Sequence, residues 1–455
     1  MTNPNKSKTG RKILLGILTI LLLAIIGGAV FLSTLLPIIT GYAAKNMGSA
    51  VFVQGRTPDE VDSTDLNFSF IKFTKNKVDL NDSSVTSRFL WGKSKAIDRD
   101  EFGVTLVRKT REQDLRETEF PQIPELCYSK DTISWPLGDL LPDSLTGINR
   151  EALASVSKKL VEENVYGGNV FAFMVLHKGI PVAEAYKPQF NKDTRFLSWS
   201  MAKSVMNALV GVLVEEDGID INKPTGLEEW KDDERSNITL NDLMQMQSGL
   251  EWNEDYGSRS DVNVMLFCRP DMAAYVRDQK LQHPAGTNWV YSSGSSNVVS
   301  YIIRKHLGND SVYYAFPYTH LFNKIGITDA VLEVDPSGTF IGSSYLYATA
   351  RDYARFALLY QQDGVFNGVR IFPEGWVKYT REPAKASNGE YGSLFWLHGQ
   401  GEVPSAPEDL YMCMGHDGQR IFIIPSKELI VVVLGYSPRG TLDFDSLIKD
   451  IIGTI

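Results

Sequence analysis

The hydrophobic and polar positions divide the chain into an apolar N-terminal segment, a strand-rich middle and a long mixed domain. A basic tail, residues 1–12, precedes an uncharged stretch whose dense apolar part covers residues 13–39. A helix rises ~1.5 Å per residue, so this part is longer than the ~30 Å hydrocarbon core of a bilayer. The pattern predicts a transmembrane helix. Because the basic residues precede it, we expect the tail in the bacterial cytoplasm and the rest on the periplasmic or extracellular side.

A cleaved signal peptide is the alternative interpretation of the same segment. Tyr42-Ala43-Ala44 provides the small-residue site that a signal peptidase requires. The apolar core of a signal peptide usually covers ~7–15 residues, however, which is much shorter than residues 13–39. We therefore favour an uncleaved single-pass anchor at residues 13–39.

Residues 45–148 are predicted to form a β-rich extension followed by a linker. Apolar runs at residues 51–53, 68–73 and 103–107 alternate with polar turns, a pattern typical of short strands. Charged residues and prolines are frequent in residues 110–142, which favours an irregular connection.

The remainder, residues 149–455, has the pattern of an α+β domain. Paired apolar runs separated by tight turns predict β-hairpins at residues 171–186 and 421–434. A nearly uniform apolar helix is expected at residues 200–214, buried between layers, and an amphipathic helix at residues 441–455. Hairpins near both ends of the domain, with helices between them, indicate an antiparallel sheet closed by both termini.

Composition and charge restrict the possible partners. Hydrophobic residues make up 43% of the chain and charged residues 22%, as in globular proteins. The net charge of −9 argues against a nucleic-acid partner, which requires a basic face. The six histidines lack metal-ligand spacing, and Cys127, Cys268 and Cys413 form no CxxC pair. We therefore predict no metal and no other cofactor.

The motif Ser-x-x-Lys is the main candidate for chemistry. At Ser200 and Lys203 it opens the buried apolar helix, where residues three apart share a face and the lysine can reach the serine hydroxyl. Burial lowers the pKa of a lysine, so a neutral amine can accept the serine proton. Three further matches lie in polar or amphipathic segments, where solvated side chains are expected: Ser69/Lys72, Ser155/Lys158 and Ser446/Lys449. The chain has no Gly-x-Ser-x-Gly motif, which counts against an α/β-hydrolase.

An ordered set of segments resembles the class C β-lactamase-like serine hydrolases, which include 6-aminohexanoate-dimer hydrolases and β-lactamase-fold esterases. The first segment is Ser198-Trp199-Ser200-Met201-Ala202-Lys203-Ser204, and the others follow at residues 238–250, 284–294, 352–364 and 415–419. The resemblance covers residues 149–455. It implies the α+β fold of β-lactamases and penicillin-binding proteins: an antiparallel sheet flanked by helices, plus a helical region, with the active site between them.

The resemblance also implies catalytic roles. Ser200 would be the nucleophile and Lys203 its activating base. Tyr291 would be the second acid/base group, and the positive charge of Lys203 would lower the pKa of its phenol. The backbone N–H groups of Ser200 and Gln419 would form the oxyanion hole.

Substrate contacts are implied at four positions. His416 and Gly418 fall where the family has a Lys-Thr-Gly-type strand motif, so a mostly neutral histidine replaces the lysine and Asp417 replaces the hydroxyl. Ser293 stands where the family often has the asparagine of Tyr-x-Asn, and Trp252 would line the cleft. We expect an acidic Asp417 facing the cleft to disfavour anionic substrates.

The implied activity is hydrolysis of an ester or amide through a Ser200 acyl-enzyme. The substrate would be a small molecule or a short peptide-like compound. A peptidoglycan D,D-peptidase is one alternative, favoured by location but not by His416. A non-hydrolytic sensor of the penicillin-binding type is another, disfavoured because a pure binding module does not need Ser200, Lys203 and Tyr291 together.

Overall fold

The computed structural model describes residues 5–124, 129–142 and 148–455, so Cys127 lies outside the described residues. The strands are β1 (Lys75–Asp79), β2 (Ser84–Phe89), β3 (Gly92–Asp98), β4 (Val104–Leu106), β5 (Val170–His177), β6 (Ile180–Tyr186), β7 (Phe196–Leu197), β8 (Val331–Leu332), β9 (Leu346–Ala348), β10 (Val365–Phe366), β11 (Val369–Arg370), β12 (Trp396–Leu397), β13 (Tyr411–Met414), β14 (Arg420–Ile424) and β15 (Leu429–Gly435). The helices are α1 (Asn5–Phe52), α2 (Pro58–Ser63), α3 (Glu112–Arg116), α4 (Arg150–Val161), α5 (Ala202–Asp217), α6 (Leu240–Met244), α7 (Asp261–Cys268), α8 (Met272–Arg277), α9 (Ser293–Leu307), α10 (Asp310–Phe316), α11 (Ala350–Gln361), α12 (Trp376–Thr380) and α13 (Phe444–Ile452).

Helix α1 has two halves with different surroundings. Almost all side chains at residues 11–34 are exposed, whereas residues 40–50 are buried in the domain. At ~1.5 Å per residue the exposed half can cross a ~30 Å hydrocarbon core. Its length and apolar composition are those of a membrane span, and a signal sequence shares them. Of the segment expected to span the membrane, residues 13–39, the part from Leu36 onward packs against the domain.

The buried half of α1 corrects two expectations. The domain boundary expected at residue 45 falls inside the helix, and Val51 and Phe52, expected in a strand, are its last residues. The cause is tertiary packing, since Ala43, Ala44 and Met47 have no exposed surface. A helix that continues into the core also keeps its backbone groups hydrogen-bonded there.

A buried ion pair fixes this half of α1 to the domain. Lys45 binds Glu333, and the Glu333 carboxylate also accepts hydrogen bonds from Ser49 Oγ (2.8 Å) and from the backbone N–H of Val104 (2.7 Å). Removing one partner of such a pair costs about 3–5 kcal/mol, because a buried charge is left uncompensated. The pair connects α1 to β4 and to the segment that follows β8.

Strands β1 to β4 form an antiparallel sheet in sequential order that lies along the buried half of α1. The Ser94 hydroxyl on β3 is 2.6 Å from that of Thr40 on the helix. Gly48 faces β4 so closely that a Cβ there would lie 2.9 Å from the Val104 side chain. The strand expected at residues 103–107 is confirmed as β4.

Other expectations for the region between α1 and the main domain change. Residues 68–73 form turns and the 3-10 helix Ile71–Phe73 instead of a strand, because Ile71 is buried while its aromatic neighbours point to solvent. The described residues of the expected linker, 110–124 and 129–142, contain the short helix α3 and a 3-10 turn at Lys130–Thr132.

The central sheet of the main domain has the order β12-β13-β14-β15-β5-β6 and is antiparallel. Both expected hairpins, β5–β6 and β14–β15, are confirmed, and β15 pairs with β5, which closes the sheet between the two ends of the domain. Side chains alternate along β15: Val431 and Val433 pack toward α4 and α13, and Ile430 and Val432 toward α11. This alternation explains why two apolar layers cover both faces of the sheet.

A helical region from α5 to α10 completes the domain. Helix α5 is buried continuously over residues 202–213, as expected for a helix between layers, and it packs against α9. The small sheet β7-β9-β8 lies next to the N-terminal end of α5. The Ser198 backbone N–H donates to the Leu346 carbonyl oxygen at 2.8 Å. The start of α5 is thereby held at the junction of the two regions.

Candidate active site

Ser200 lies in the 3-10 turn Trp199–Met201 that leads into α5. Trp199 has a φ of 44°, a left-handed conformation that costs a bulky residue about 1–3 kcal/mol. Its ring is held by Tyr42 of α1 (stacked, 6.3 Å between ring centroids) and by Tyr345 (5.5 Å). Packing of the Trp199 side chain therefore maintains the turn that presents Ser200 at the surface of the site.

Lys203 is buried one helical turn beyond Ser200. Its Nζ lies 2.8 Å from Ser200 Oγ, 3.0 Å from Ser293 Oγ and 3.1 Å from the carbonyl oxygen of Ser343. Burial lowers the pKa of Lys203 to about 8, and the negative charge of Glu254 partly opposes this. About one-tenth of the amine is then neutral at pH 7 and able to accept a proton.

Tyr291 lies beside the same lysine. The Lys203 Nζ is 4.9 Å from the centre of its ring, and Trp396 packs against the ring at 5.1 Å. The pKa of Tyr291 is raised, chiefly by burial and then by Glu254, while hydrogen bonding with Ser200 lowers it. The expectation that Lys203 would lower this pKa is wrong in net direction, because burial outweighs the favourable contacts. Tyr291 is a neutral phenol that can donate a proton.

Glu254 is the site residue that the sequence did not indicate. Its carboxylate accepts hydrogen bonds from the Ser293 hydroxyl (2.5 Å), the Ser293 backbone N–H (2.9 Å) and Trp252 Nε1 (2.6 Å). Because Ser293 also contacts Lys203, the carboxylate is connected to the lysine through one hydroxyl. Glu254 belongs to an irregular loop with no motif around it, so no sequence signal could have identified it.

Ser293 and Trp252 lie in positions different from those expected of substrate contacts. Ser293 has no exposed surface, and its hydroxyl is occupied by Lys203 and Glu254. The Trp252 ring packs on the start of α9, where a Cβ at Gly294 would come within 2.7 Å of it. Ser293 contacts Lys203 directly, and Trp252 holds the Glu254 carboxylate that bonds to Ser293.

His416, Asp417 and Gly418 form the tight turn between β13 and β14, not part of a strand as expected. Asp417 has a φ of 53°, and Gly418 has a φ of 84° with a Cβ position only 2.8 Å from the Ser437 Cβ. These conformations and the close approach of Ser437 cannot be accommodated in an extended strand. Gly418 is thus required by the turn itself.

Within this turn the two polar side chains are in contact, with His416 Nε2 3.3 Å from Asp417 Oδ1, but they differ in burial. The His416 ring stacks on Tyr256 (5.2 Å) and contacts Trp199 edge-on (5.5 Å), and 43% of its side chain is exposed. The Asp417 side chain is only 10% exposed, and burial raises its pKa, with Asp65 adding to the effect. Asp417 and His416 both line the cleft beside this turn, and His416 is the one that packs against the aromatic rings of the site.

Gln419 secures the same turn. Its side chain bonds to the carbonyl oxygens of Asp417 (3.1 Å) and Gly435 (2.6 Å), and its own oxygen accepts from the Gly435 N–H (3.0 Å). The backbone N–H of Gln419 makes only a long contact, 3.5 Å, to the His416 carbonyl oxygen. At Gly415 a Cβ would lie 2.2 Å from the Ser198 carbonyl oxygen, so the turn contacts the nucleophile segment directly.

A cleft of about 520 Å³ borders the site on the side of this turn, and its lining includes Trp396, His416, Gly418 and Arg439. Another cleft, of about 600 Å³, is lined by charged residues around Lys130 and contains none of the expected site residues. The first is the more suitable substrate cleft, because Trp396 and His416 also contact Tyr291 and Trp199. Among the described residues, no group of three or more His, Cys, Asp or Glu side chains could hold a metal ion.

Comparison with known proteins identifies the family. Residues 159–447, more than half of the chain, match the sequence model of the Beta-lactamase family. The chain therefore belongs to that family, and it is a serine hydrolase with the β-lactamase and penicillin-binding-protein fold. The α+β fold expected from the sequence resemblance is confirmed.

Individual relatives agree with this assignment. The 6-aminohexanoate-dimer hydrolase of Paenarthrobacter ureafaciens is 26% identical over 345 residues, which are 66% of this chain and 84% of that protein. A solved structure of a proposed 6-aminohexanoate-dimer hydrolase from Bacillus anthracis superposes with a TM-score of 0.56 at 21% identity, covering 73% of this chain and 89% of that chain. A penicillin-binding protein homologue from Caulobacter crescentus gives 0.53 at 16% identity, covering 69% and 97%. The similarity to these two solved structures supports the fold assignment and nothing further.

Proposed function

We propose that the chain hydrolyses an ester or amide through an acyl-enzyme on Ser200. Neutral Lys203 accepts the hydroxyl proton while Ser200 Oγ bonds to the substrate carbonyl carbon. The carbonyl electron pair moves to oxygen, and the N–H groups of Ser200 and Gln419 hold that oxyanion. When the bond to the leaving group breaks, Tyr291 gives its proton to the leaving atom and recovers one from the Lys203 ammonium. Water then attacks the acyl group, its proton passes to Lys203, and Ser200 is released with that proton.

The observation that carries the proposal is the 2.8 Å contact between Lys203 Nζ and Ser200 Oγ at a buried lysine whose pKa is about 8. The other Ser-x-x-Lys pairs have different partners. Lys158 pairs with Glu163 on the surface, and the Ser446 hydroxyl bonds to Asp443. Lys72, in the third pair, is exposed, so among these four pairs a serine beside a desolvated amine is supported at Ser200 alone.

We propose a small or short peptide-like substrate without a carboxylate at the scissile bond. The rings of Trp396 and His416 line the cleft and favour apolar groups, and the Asp417 carboxylate in the same lining disfavours a substrate carboxylate. The relative named for the 6-aminohexanoate dimer suggests short linear amides as candidates. Because His416 is exposed at the position of the family's lysine, anionic substrates gain no permanent positive partner there.

We also propose that α1 stays attached as a membrane anchor, with residues 53–455 on the outer side of the cytoplasmic membrane. Cleavage after Ala44 would remove Tyr42, which supports Trp199, together with the buried Ala43 and Ala44. The mature N-terminus, measured by mass spectrometry of the membrane fraction, tests this. The expected result is an intact α1, and a soluble chain beginning near residue 45 would contradict it.

The function is tested with the purified full-length chain in detergent micelles. The substrate panel combines short-chain nitrophenyl esters, the 6-aminohexanoate dimer and peptides ending in D-Ala-D-Ala. We expect ester hydrolysis that Ser200→Ala abolishes, whereas Ser155→Ala, a serine in an exposed Ser-x-x-Lys pair, keeps full activity. Turnover of the D-Ala-D-Ala peptides above the esters would favour a D,D-peptidase. Full activity of Ser200→Ala would refute the proposal.

A further inference from the structure

Four exposed apolar side chains gather beside the exposed half of α1. They form a rim composed of Phe70, Phe73, Leu90 and Trp91, each between 56% and 62% exposed. Phe89 lies between the two phenylalanines, with its ring 6.5 Å from that of Phe70 and 6.4 Å from that of Phe73. Exposed aromatic residues gathered in this way mark an interaction surface more often than scattered ones do.

The rim lies at the point where α1 leaves the domain. Trp91 Nε1 donates a hydrogen bond of 3.0 Å to Ser33 Oγ, and a Cβ at Gly92 would be 2.7 Å from Leu36 Cβ. Ser33 is among the last exposed residues of the helix, and Leu36 is the first buried one. The rim is therefore continuous with the apolar surface of the exposed half of α1.

A row of positive charges crosses the sheet just behind the rim. Lys75, Arg88 and Lys93 are direct cross-strand partners on β1, β2 and β3, and all three are exposed. Like charges placed opposite each other destabilise a sheet unless a counter-charge is present. Within the described residues none of the three forms an ion pair. The acidic residues of these strands, Asp79 and Asp98, and Asp82 in the turn between β1 and β2 lie at the other end of the sheet.

We propose that the rim is a second membrane contact, in which Phe70, Phe73, Leu90 and Trp91 enter the interface of an anionic bilayer while the charged row binds lipid phosphates. This rests on the proposed anchoring through α1. Trp and other aromatic side chains favour the bilayer interface, and each basic residue near an anionic surface adds attraction. Tyr42, which packs on Trp199 beside Ser200, lies only two to three helical turns beyond Ser33. The membrane contact of the rim would therefore also hold the active site close to the membrane surface.

The test uses the full-length chain in vesicles of brominated phosphatidylcholine with phosphatidylglycerol, since bromine quenches tryptophan emission on contact. We expect quenching in the natural protein and loss of at least about half of it in Trp91→Phe, because the exposed half of α1 contains no tryptophan. Leu90→Asp should also reduce quenching. Leu80→Asp is the matched control: it is 72% exposed in the turn at the opposite end of the same sheet, and we expect no change.

The outcomes separate the proposals. If the protein floats with the vesicles and Trp91→Phe is quenched as strongly as the natural protein, the rim contact is refuted while the anchor stands. If the protein does not float with vesicles, both are refuted, and ester hydrolysis in micelles still tests the active site separately. Equal quenching in vesicles without phosphatidylglycerol would contradict the requirement for an anionic bilayer. Thermal unfolding of each variant verifies that it is folded.

Discussion

Glu254 is connected to Lys203 through the hydroxyl of Ser293, which lies 2.5 Å from the carboxylate and 3.0 Å from the amine. The carboxylate raises the pKa of Lys203 against the larger lowering effect of burial. Glu254 thus acts on the proposed base without facing the cleft. It is a positioning residue whose charge lowers the fraction of neutral Lys203.

Removing that charge should move the pH dependence of hydrolysis. In Glu254→Gln the amide can still bond to Ser293, but the pKa of Lys203 falls below about 8. We expect the acidic limb of the kcat/KM profile for a nitrophenyl ester to shift to lower pH. Glu251→Gln, an exposed position in the same loop, is the control and should leave the limb in place. An unchanged limb in Glu254→Gln would show that the carboxylate does not act on the base.

Ser200 and Lys203 should behave as one catalytic unit. We expect Ser200→Ala and Lys203→Ala each to lower kcat/KM by at least ~10³-fold, and the double variant to be no worse than either, because nucleophile and base act in the same step. Single-turnover ester hydrolysis measures the three variants against the natural protein. Losses that multiply in the double variant would mean that Lys203 is structural and that another group activates Ser200.

Burial of Lys203 should also appear in the stability of the protein. Its pKa falls from 10.5 in the unfolded chain to about 8 in the folded one, so between these pH values the unfolded chain binds more protons. Stability therefore rises with pH across this window, by about 3 kcal/mol in full. Urea unfolding in micelles at about pH 8 and about pH 10 should show this rise relative to Lys203→Met, which has no such group. The same pH dependence in both proteins would contradict the lowered pKa.

The Lys45–Glu333 pair should hold α1 in the domain. Lys45→Met leaves the Glu333 charge buried and should lower the free energy of unfolding by about 3 kcal/mol. Lys45→Met/Glu333→Gln removes both charges and should recover most of that loss. Lys231→Met, which breaks an exposed pair with Glu228, serves as the surface control and should change stability by less than about 1 kcal/mol. If the double variant is as unstable as Lys45→Met, the loss comes from packing and not from charge.

Local patterns predicted the parts of the fold that depend on neighbouring residues. The hairpins β5–β6 and β14–β15 and the buried helix α5 follow from short-range periodicity and turn residues, and the structure has them where expected. The course of α1 beyond residue 40 does not follow from such patterns. It depends on contacts with β3, β4 and Glu333, which lie up to 288 positions away in sequence.

The candidate site shows the same division. Ser200 and Lys203 could be predicted because one helical turn places them together. Glu254 could not, because it meets Ser293 only after a loop folds over the start of α9. The turn conformation of His416 to Gly418 depends on the close approach of Ser437, and the direction of the Tyr291 pKa depends on burial, so neither can be derived from sequence spacing.

Covalent labelling of Ser200 tests the central claim most directly. The full-length chain in micelles is treated with a biotinylated fluorophosphonate and digested, and the labelled peptide is mapped by mass spectrometry. The proposed mechanism predicts one adduct, on Ser200, formed much more slowly in Lys203→Ala and absent in Ser200→Ala. An adduct on another residue, with Ser200 unmodified in the folded protein, would contradict the assignment of Ser200 as the nucleophile.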